Sequence, residues 1–356
     1  MAEVLHIVEP TLENNAGHCH NFIASLCAAA PPGQRFVVWA GRRAVSDLPP
    51  NAEVRPFFHR RLRRIESLLL FRKLLRGPGR VFVSTAGTAD LLALDLAAPR
   101  KLEDRKASLY FHWSRPKRGK LARYRRVARR RPSLNVLAPT PLVAEFLREA
   151  GFKRARVIPY PLAIRPSESV RAPFRHLLFA GAARRDKGFH HVVDLVAHLA
   201  AAGSSIPVTL QSAPDHYDKL SAAVAGDLER LKAVRYRHLQ LVPDAMPYAQ
   251  YLKLFPGAIC LQPYDAADFA DRVSTVTLDA MSSGAPVVTA AGTWMARVIS
   301  RFEAGQVVSN ISPESLIGVA QRIRGDYPRF QANALRAGAT LREEHDPSRL
   351  LAAISG

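Results

Sequence analysis

Short runs of β-branched and aromatic residues alternate with stretches of helical spacing in this chain of 356 residues, and the alternation is laid out twice. Val4 to Val8, Arg35 to Ala40, Val54 to Phe58, Val81 to Ser84, Ala107 to Phe111 and Leu134 to Ala138 read as strands. Helices are expected from His18 to Ala30, where Phe22, Ile23, Leu26 and Cys27 recur at helical steps, and from Thr140-Pro141 to Glu149, with Gly151 just beyond its end. A stiff connector, Val157-Ile158-Pro159-Tyr160-Pro161-Leu162, then interrupts the pattern, because each proline fixes its own φ and restricts the residue before it. A second set follows: Leu177 to Phe179, Pro207 to Gln211, His238 to Val242, Ala258 to Leu261 and Pro286 to Thr289. Strands this apolar need helices over both faces, so each set predicts a parallel α/β sheet. The length exceeds what one core supports, which gives two Rossmann-like domains, 1–158 and 159–356. Asp346-Pro347-Ser348 has the capping chemistry to begin a last helix.

Within the second set, Asp271 to Val288 holds the densest chemistry. Two carboxylates, Asp271 and Asp279, are separated by seven residues. Ser274 to Ser283 has the make-up of a short helix that Gly284 would stop. Asp271 would stand before that helix and Asp279 about a turn into it, so both acids can look into one cavity at its N-terminus. That end binds anions through unpaired amides, here from Ser274, Thr275, Val276 and Thr277. The plainer alternative makes Asp271 a cap and Asp279 a solvated helix residue. Upstream, the strand Leu177 to Phe179 runs into Gly181-Ala182-Ala183-Arg184-Arg185-Asp186-Lys187-Gly188, a glycine loop with cations at a helix start, suited to a pyrophosphate or equally to solvent.

Charge is divided unequally. Residues 1–158 hold 30 lysines and arginines against 12 acids, an excess of 18, and residues 159–356 hold 21 against 18, an excess of three. An anionic partner for the first domain is expected. Arg60 to Arg76 reads as a surface helix with an apolar stripe in the core, with membrane contact as an added role. Arg115 to Arg131 contains ten cations and no acid, and Leu121, Tyr124 and Val127-Ala128 give it a narrow apolar side; Arg125, Arg126, Arg129 and Arg130 are the candidates for an anionic or lipid-linked acceptor or an acidic leaflet. Nucleic acid would be drawn by the same field, but no base-reading motif accompanies it. Cys19, Cys27 and Cys260 follow no metal-ligand spacing, which fits a reducing compartment; a zinc site at His18, Cys19 and His20 would lack a second ligand pair. The start of the chain has no secretory pattern and no stretch is apolar enough to span a bilayer, so a cytoplasmic location is expected, peripheral to the inner membrane face.

The acid pair and the Ser-Gly-Ala-Pro-Val-Val after it resemble the E-x7-E signature of retaining glycosyltransferases of the GT-B fold, family 4. Aspartate replaces both glutamates, and Arg272-Val273-Ser274 replaces the usual Gly-Phe-Gly. Lys187-Gly188 match the family's Lys-Gly, and Ala182 stands where its arginine is usual, so that role passes to Arg184. The resemblance implies two facing Rossmann-like domains with a cleft, a nucleotide diphosphate-sugar as substrate and no metal or other cofactor. It assigns Arg184 and Lys187 to the leaving diphosphate, Asp271 to sugar hydroxyls, Asp279 to the ribose, Gly17 and Gly181 to close approach of phosphate, and His112, at the carboxyl end of the strand Ala107 to Phe111, to the donor sugar; read by themselves, Gly17 is a plain turn and His112 is nearly as well explained as a partly buried histidine satisfied by a backbone carbonyl. It also places the nucleotide base at Val242-Pro243-Asp244 and Thr293-Trp294 beside the cleft, and folds the last helix back on the first domain. The function implied is hexosyl transfer with retention, in bacterial cell-surface glycan or glycolipid synthesis. Two alternatives stay open: a degenerate, non-catalytic relative or basic nucleic-acid binder, and an inverting transferase with His18 or His20 as base.

Overall fold

Both strand sets close into parallel sheets in the computed structural model, which describes residues 4–13, 18–44, 47–114, 119–162, 171–213, 220–244 and 246–355. Contacts divide the chain into two units, Met1–Ala163 with His345–Gly356, and Ile164–Glu344. The first unit runs β1 (Leu5–Glu9), α1 (His18–Ala28), β2 (Phe36–Gly41), β3 (Ala52–Phe58), α2 (Arg63–Leu74), β4 (Arg80–Val83), α3 (Thr88–Ala97), β5 (Ala107–Tyr110), α4 (Lys120–Arg130), β6 (Asn135–Ala138), α5 (Pro141–Glu149) and β7 (Arg156–Val157). Its seven strands are ordered β3-β2-β1-β4-β5-β6-β7, all parallel. Ile7, Val38, Val81, Leu109 and Val136 are fully buried between helices on both faces, which is why these strands read as continuous apolar runs.

The second unit runs β8 (His176–Phe179), α6 (Phe189–Ala201), β9 (Val208–Gln211), α7 (Ala222–Ala233), β10 (Leu239–Val242), α8 (Tyr248–Leu252), β11 (Ala258–Gln262), α9 (Ala266–Phe269), α10 (Thr275–Ser282), β12 (Val287–Ala290), α11 (Trp294–Phe302), β13 (Gly305–Val308), α12 (Pro313–Gly325) and α13 (Tyr327–Glu344). Its six parallel strands are ordered β10-β9-β8-β11-β12-β13. The order reverses between β8 and β11, and ligands of open parallel sheets bind beyond the carboxyl ends of the strands at such a reversal. The last helix, α14 (Pro347–Ser355), belongs to the first unit and packs on α1. Its final carbonyls have no partner within the helix; Asn135 Nδ2 donates to Ala353 O at 3.0 Å and Arg80 to Ile354 O at 3.0 Å.

Two expectations need correcting. The basic helix begins at Arg63 rather than Arg60, and only part of its apolar surface enters the core: Leu70, Phe71 and Leu74 are buried, whereas Ile65 and Leu69 of the helix and Leu62 just before it are 61%, 59% and 51% exposed. Its sequence carries two apolar stripes, and a helix lying on one sheet can bury one. Arg131 ends the basic run but is no surface cation, since it is buried with its guanidinium bonded to Asp95 Oδ1 at 2.9 Å and to the Asp95 and Ala98 carbonyls at 2.8 and 3.2 Å, closing the end of α3. Thr293 and Trp294 are both buried, Thr293 as the N-cap of α11 accepting from the Ala296 amide at 3.1 Å and donating to Ala290 O. No helix among the described residues is long and apolar enough to cross a membrane.

Candidate functional site

Two loops meet at the reversal point of the second sheet. The loop after β8 carries Gly181, Arg184 and Lys187, and the loop after β11 leads through Pro263 and Arg272 into α10. They are fastened together, with Asp265 N donating to Asp186 O at 3.0 Å. Gly188, at φ +72°, packs against Pro263, whose carbonyl oxygen would lie 2.0 Å from any Cβ placed there. Gly181, at φ +101°, would put a Cβ 3.0 Å from Lys187 Nζ and 3.6 Å from Val276 Cγ2. Glycine at 181 therefore allows the ammonium group and the first turn of α10 to converge on one point. Its own amide is not open to a phosphate, since it donates to Gln211 Oε1 at 2.6 Å.

Cations dominate this point. Burial, and then the Arg184 and Arg272 guanidinium groups, pull the Lys187 amine down to about 8. Asp186 is the acid among them, bonded to Arg184 Nε at 2.8 Å and 3.7 Å from Arg272. Arg272 also lies over the Phe269 ring, 4.9 Å from its centroid. Arg184 and Arg272 thus both meet the Asp186 carboxylate beside Lys187 in a half-buried place, a concentration of positive charge that favours an anion. Arg272 was not a site candidate in the sequence because it sits where the resembled motif has its first glycine, and nothing in its spacing marks it as a partner of Lys187.

Ser274 is the N-cap of α10, its Oγ accepting from the Thr277 amide at 3.4 Å. Thr277's amide is therefore taken, a correction to the four free amides expected. Among the described residues no backbone carbonyl accepts from the Thr275 and Val276 amides, which stand in the first turn of the helix, where amides have no partner within it. Thr277 Oγ1 donates to Gln262 Oε1 at 2.6 Å and Thr289 Oγ1 to Gln262 O at 2.9 Å, which fixes α10 to β11 and β12.

The two aspartates face different partners. Asp279 is 4% exposed, so it is no solvated helix residue; Tyr248 of α8 donates to its Oδ1 at 2.6 Å, and burial pushes its carboxyl up to about 7 against the pull of the Tyr248 and Tyr251 hydroxyls. Asp271 is half-buried ahead of the helix and close enough to Arg297 of α11 to offset part of the burial that lowers that guanidinium. Asp279 looks toward the tyrosines of α8. The tyrosine partners could not be read from spacing, since Tyr248 lies 31 residues upstream.

In the first unit His112 follows the carboxyl end of β5, buried among Phe22, Tyr110, Trp113 and Tyr160, with Nε2 donating to Ser84 O at 2.7 Å. Arg125, Arg126, Arg129 and Arg130 project from the exposed side of α4, opposite buried Tyr124 and Val127; Arg125 pairs with Glu149 at 3.4 Å and Arg130 with Asp95 at 3.0 Å. Gly17, the side chain of His18 and residues 115–118 lie outside the described residues. His20 bonds to Asp47, and Cys19 Sγ lies 3.3 Å from Thr11 Oγ1. Among the described residues no three His, Cys, Asp or Glu side chains gather as a metal site.

No protein-family model and no curated protein sequence matches the chain. Solved structures do match it over nearly its whole length. Sucrose-phosphate synthase from Thermosynechococcus elongatus is similar with a TM-score of 0.70 at 15% identity, over 96% of this chain and 94% of that one. Anabaena HepE, in a complex with UDP-glucose, has a TM-score of 0.70 at 12% identity over 99% and 98%. WaaG, a glycosyltransferase involved in lipopolysaccharide biosynthesis, has a TM-score of 0.67 at 16% identity over 99% and 100%. Likeness of this extent, spanning both sheets, shows the fold of these proteins, GT-B.

Proposed function

We propose that this chain transfers a sugar from a nucleoside diphosphate-sugar to an acceptor with retention of anomeric configuration. The observation that carries the reading is the convergence of Lys187, Arg184 and Arg272 with the open amides of Thr275 and Val276 beside Gly181. A diphosphate is drawn to this concentration of cations, and the charge on it grows as the glycosidic bond breaks. Fixed cations and amides that meet that growing charge lower the barrier without needing a metal or a protein base. Asp271 is assigned to sugar hydroxyls, Asp279 with Tyr248 to the ribose, and His112 to the donor sugar, the last on resemblance alone. The similar protein crystallised with UDP-glucose makes uridine diphosphate-sugars the first donors to try, ahead of guanosine and adenosine forms.

Donor hydrolysis and transfer are measured on the purified chain. Lys187→Ala and Arg272→Ala should each lower kcat by about 10²–10³-fold, the size seen when one charge-stabilising donor is removed, and lower it more than they raise KM. Binding of nucleoside diphosphates with no turnover for any donor would instead establish a degenerate binding protein, the reading favoured by the two Glu-to-Asp replacements.

The acceptor is placed at an acidic membrane surface, as a lipid-linked or otherwise anionic glycan precursor, with the enzyme peripheral to the cytoplasmic face of a bacterial membrane. Exposed Leu62, Ile65 and Leu69 among Arg61, Arg64, Arg72 and Lys73 support this, since an amphipathic face of this composition settles into the headgroup boundary.

A further inference from the structure

The second sheet also carries a cavity at the opposite ends of its strands. A cavity of about 480 Å³ opens where β8, β9 and β10 begin, ringed by Arg175, Arg237, Lys253, His176 and His238. Cavities that hold small ligands run from roughly 300 to 1,000 Å³. Among the described residues no acid lines it, and none of Arg175, Arg237 and Lys253 forms an ion pair. Elsewhere in the unit Arg185 and Arg230 hold Asp227 and Arg301 holds Glu344.

The ring is built into the fold. Arg175 lays its stem over Gly257, at φ +81°, where a Cβ would fall 2.7 Å from its Cγ and Cδ. Arg237 Nε donates to His238 Nε2 at 3.0 Å, which holds both side chains at the rim. His176 donates from Nε2 to Leu254 O at 3.0 Å and accepts at Nδ1 from the Thr209 hydroxyl at 2.6 Å, two bonds that keep that wall in place; burial lowers its imidazole, against the pull of the Leu254 bond and with the help of Arg175. Between the cations, Pro207, Val208 and Leu239 give an apolar lining.

We propose that this cavity binds a small organic phosphate, with the phosphate held by Arg237, Lys253 and Arg175 and the carbon skeleton against the apolar wall. Guanidinium and ammonium groups left without carboxylates take phosphate by charge-assisted hydrogen bonds, and the apolar lining distinguishes an ester from the free anion. The site is separate from the Lys187 cluster, which lies beyond the opposite ends of the same strands; a strand of four residues spans about 13 Å. It does not rest on glycosyl transfer.

The test uses the full chain carrying Lys187→Ala, which disables the other anion cluster, and titration calorimetry at physiological salt with glucose 6-phosphate, inorganic phosphate and glucose. Saturable binding of glucose 6-phosphate is expected, at least tenfold tighter than inorganic phosphate, with none for glucose. Adding Arg237→Glu and Lys253→Glu, both exposed positions, should weaken it at least tenfold with an unchanged melting temperature. The milder Arg237→Gln alone should weaken it at least threefold. Absence of glucose 6-phosphate binding, equal binding of glucose or of inorganic phosphate, or binding indifferent to both sets of substitutions would overturn the proposal.

Discussion

Asp279 makes the residue scale quantitative. Its carboxyl titrates near 7 in the fold against about 3.9 in an unfolded chain, so the folded state holds the proton more tightly. Stability from this group is full below the unfolded value and declines as pH rises toward 7, by up to about 1.4 kcal/mol per pH unit. Asp279→Asn keeps an acceptor for Tyr248 and removes the titration. Urea midpoints taken between pH 5 and 7 should fall for the wild type and stay nearly level for the variant; parallel slopes would show that the buried carboxyl does not titrate there. Lys187 works with the opposite sign. An amine lowered to about 8 is partly deprotonated at that pH, and a bound diphosphate restores its proton. Calorimetry at pH 8 in two buffers of different ionisation enthalpy should show uptake of about half a proton on UDP binding, and none in Lys187→Ala.

At the scale of elements, α10 is the part that the rest of the second unit holds in position. Residues 276 to 282 are all buried, because α13 lies along the helix and Gly338 brings it close enough that a Cβ there would stand 2.6 Å from Ser282 Cα. That neighbour is backbone and cannot swing away. Gly338→Ala should therefore destabilise the protein by roughly 1–3 kcal/mol, as overpacked cores do, and shift the helix whose amides face the candidate donor. Thermal melting and UDP affinity should fall together. A variant with wild-type melting would show that the two helices separate without cost. The N-cap acts at the other end: Ser274 accepts from the Thr277 amide, so the serine that departs from the resembled glycine caps the helix itself.

For the whole molecule, the distribution of charge matters more than its total. The positive excess gathers in residues 1–158, and the fold then decides which cations are accessible. Arg131 is consumed inside the unit and Arg130 partly pairs with Asp95, while α2 presents apolar side chains next to arginines. Co-sedimentation with vesicles should require anionic lipid and weaken as salt shortens the field from about 8 Å at physiological strength to about 3 Å at 1 M. Ile65→Ser with Leu69→Ser, both exposed, should reduce binding with no loss of stability. Replacement of Arg125, Arg126 and Arg129 by Gln should reduce it by a smaller, salt-dependent amount. Indifference to lipid charge would rule out this docking and leave a soluble anionic acceptor as the explanation of the excess.

The period of the apolar residues was enough to establish two parallel α/β sheets, since runs such as Val287–Ala290 have no wet face and permit little else. Local capping chemistry was equally legible, from Thr140-Pro141 at α5 to Gly284 after α10, because those signals act within four residues. Helix α3 went unassigned in the sequence: it begins at Gly87, whose amide bonds to the Asp90 carboxylate at 2.9 Å, and its leucine-rich stretch has no distinct polar face. The loop Gly181 to Gly188 and the pair Asp271 and Asp279 marked the region of the site. Its partners, Arg272 beside Lys187 and Tyr248 on Asp279, arise from contacts across tens of residues, and spacing does not encode such contacts. Which side of α2 faces water, and that Arg175, Arg237 and Lys253 ring one cavity, were likewise decided by the sheet on which each element came to rest. A sequence fixes the order of its charges along the chain, and only packing determines which of them are left without an opposite.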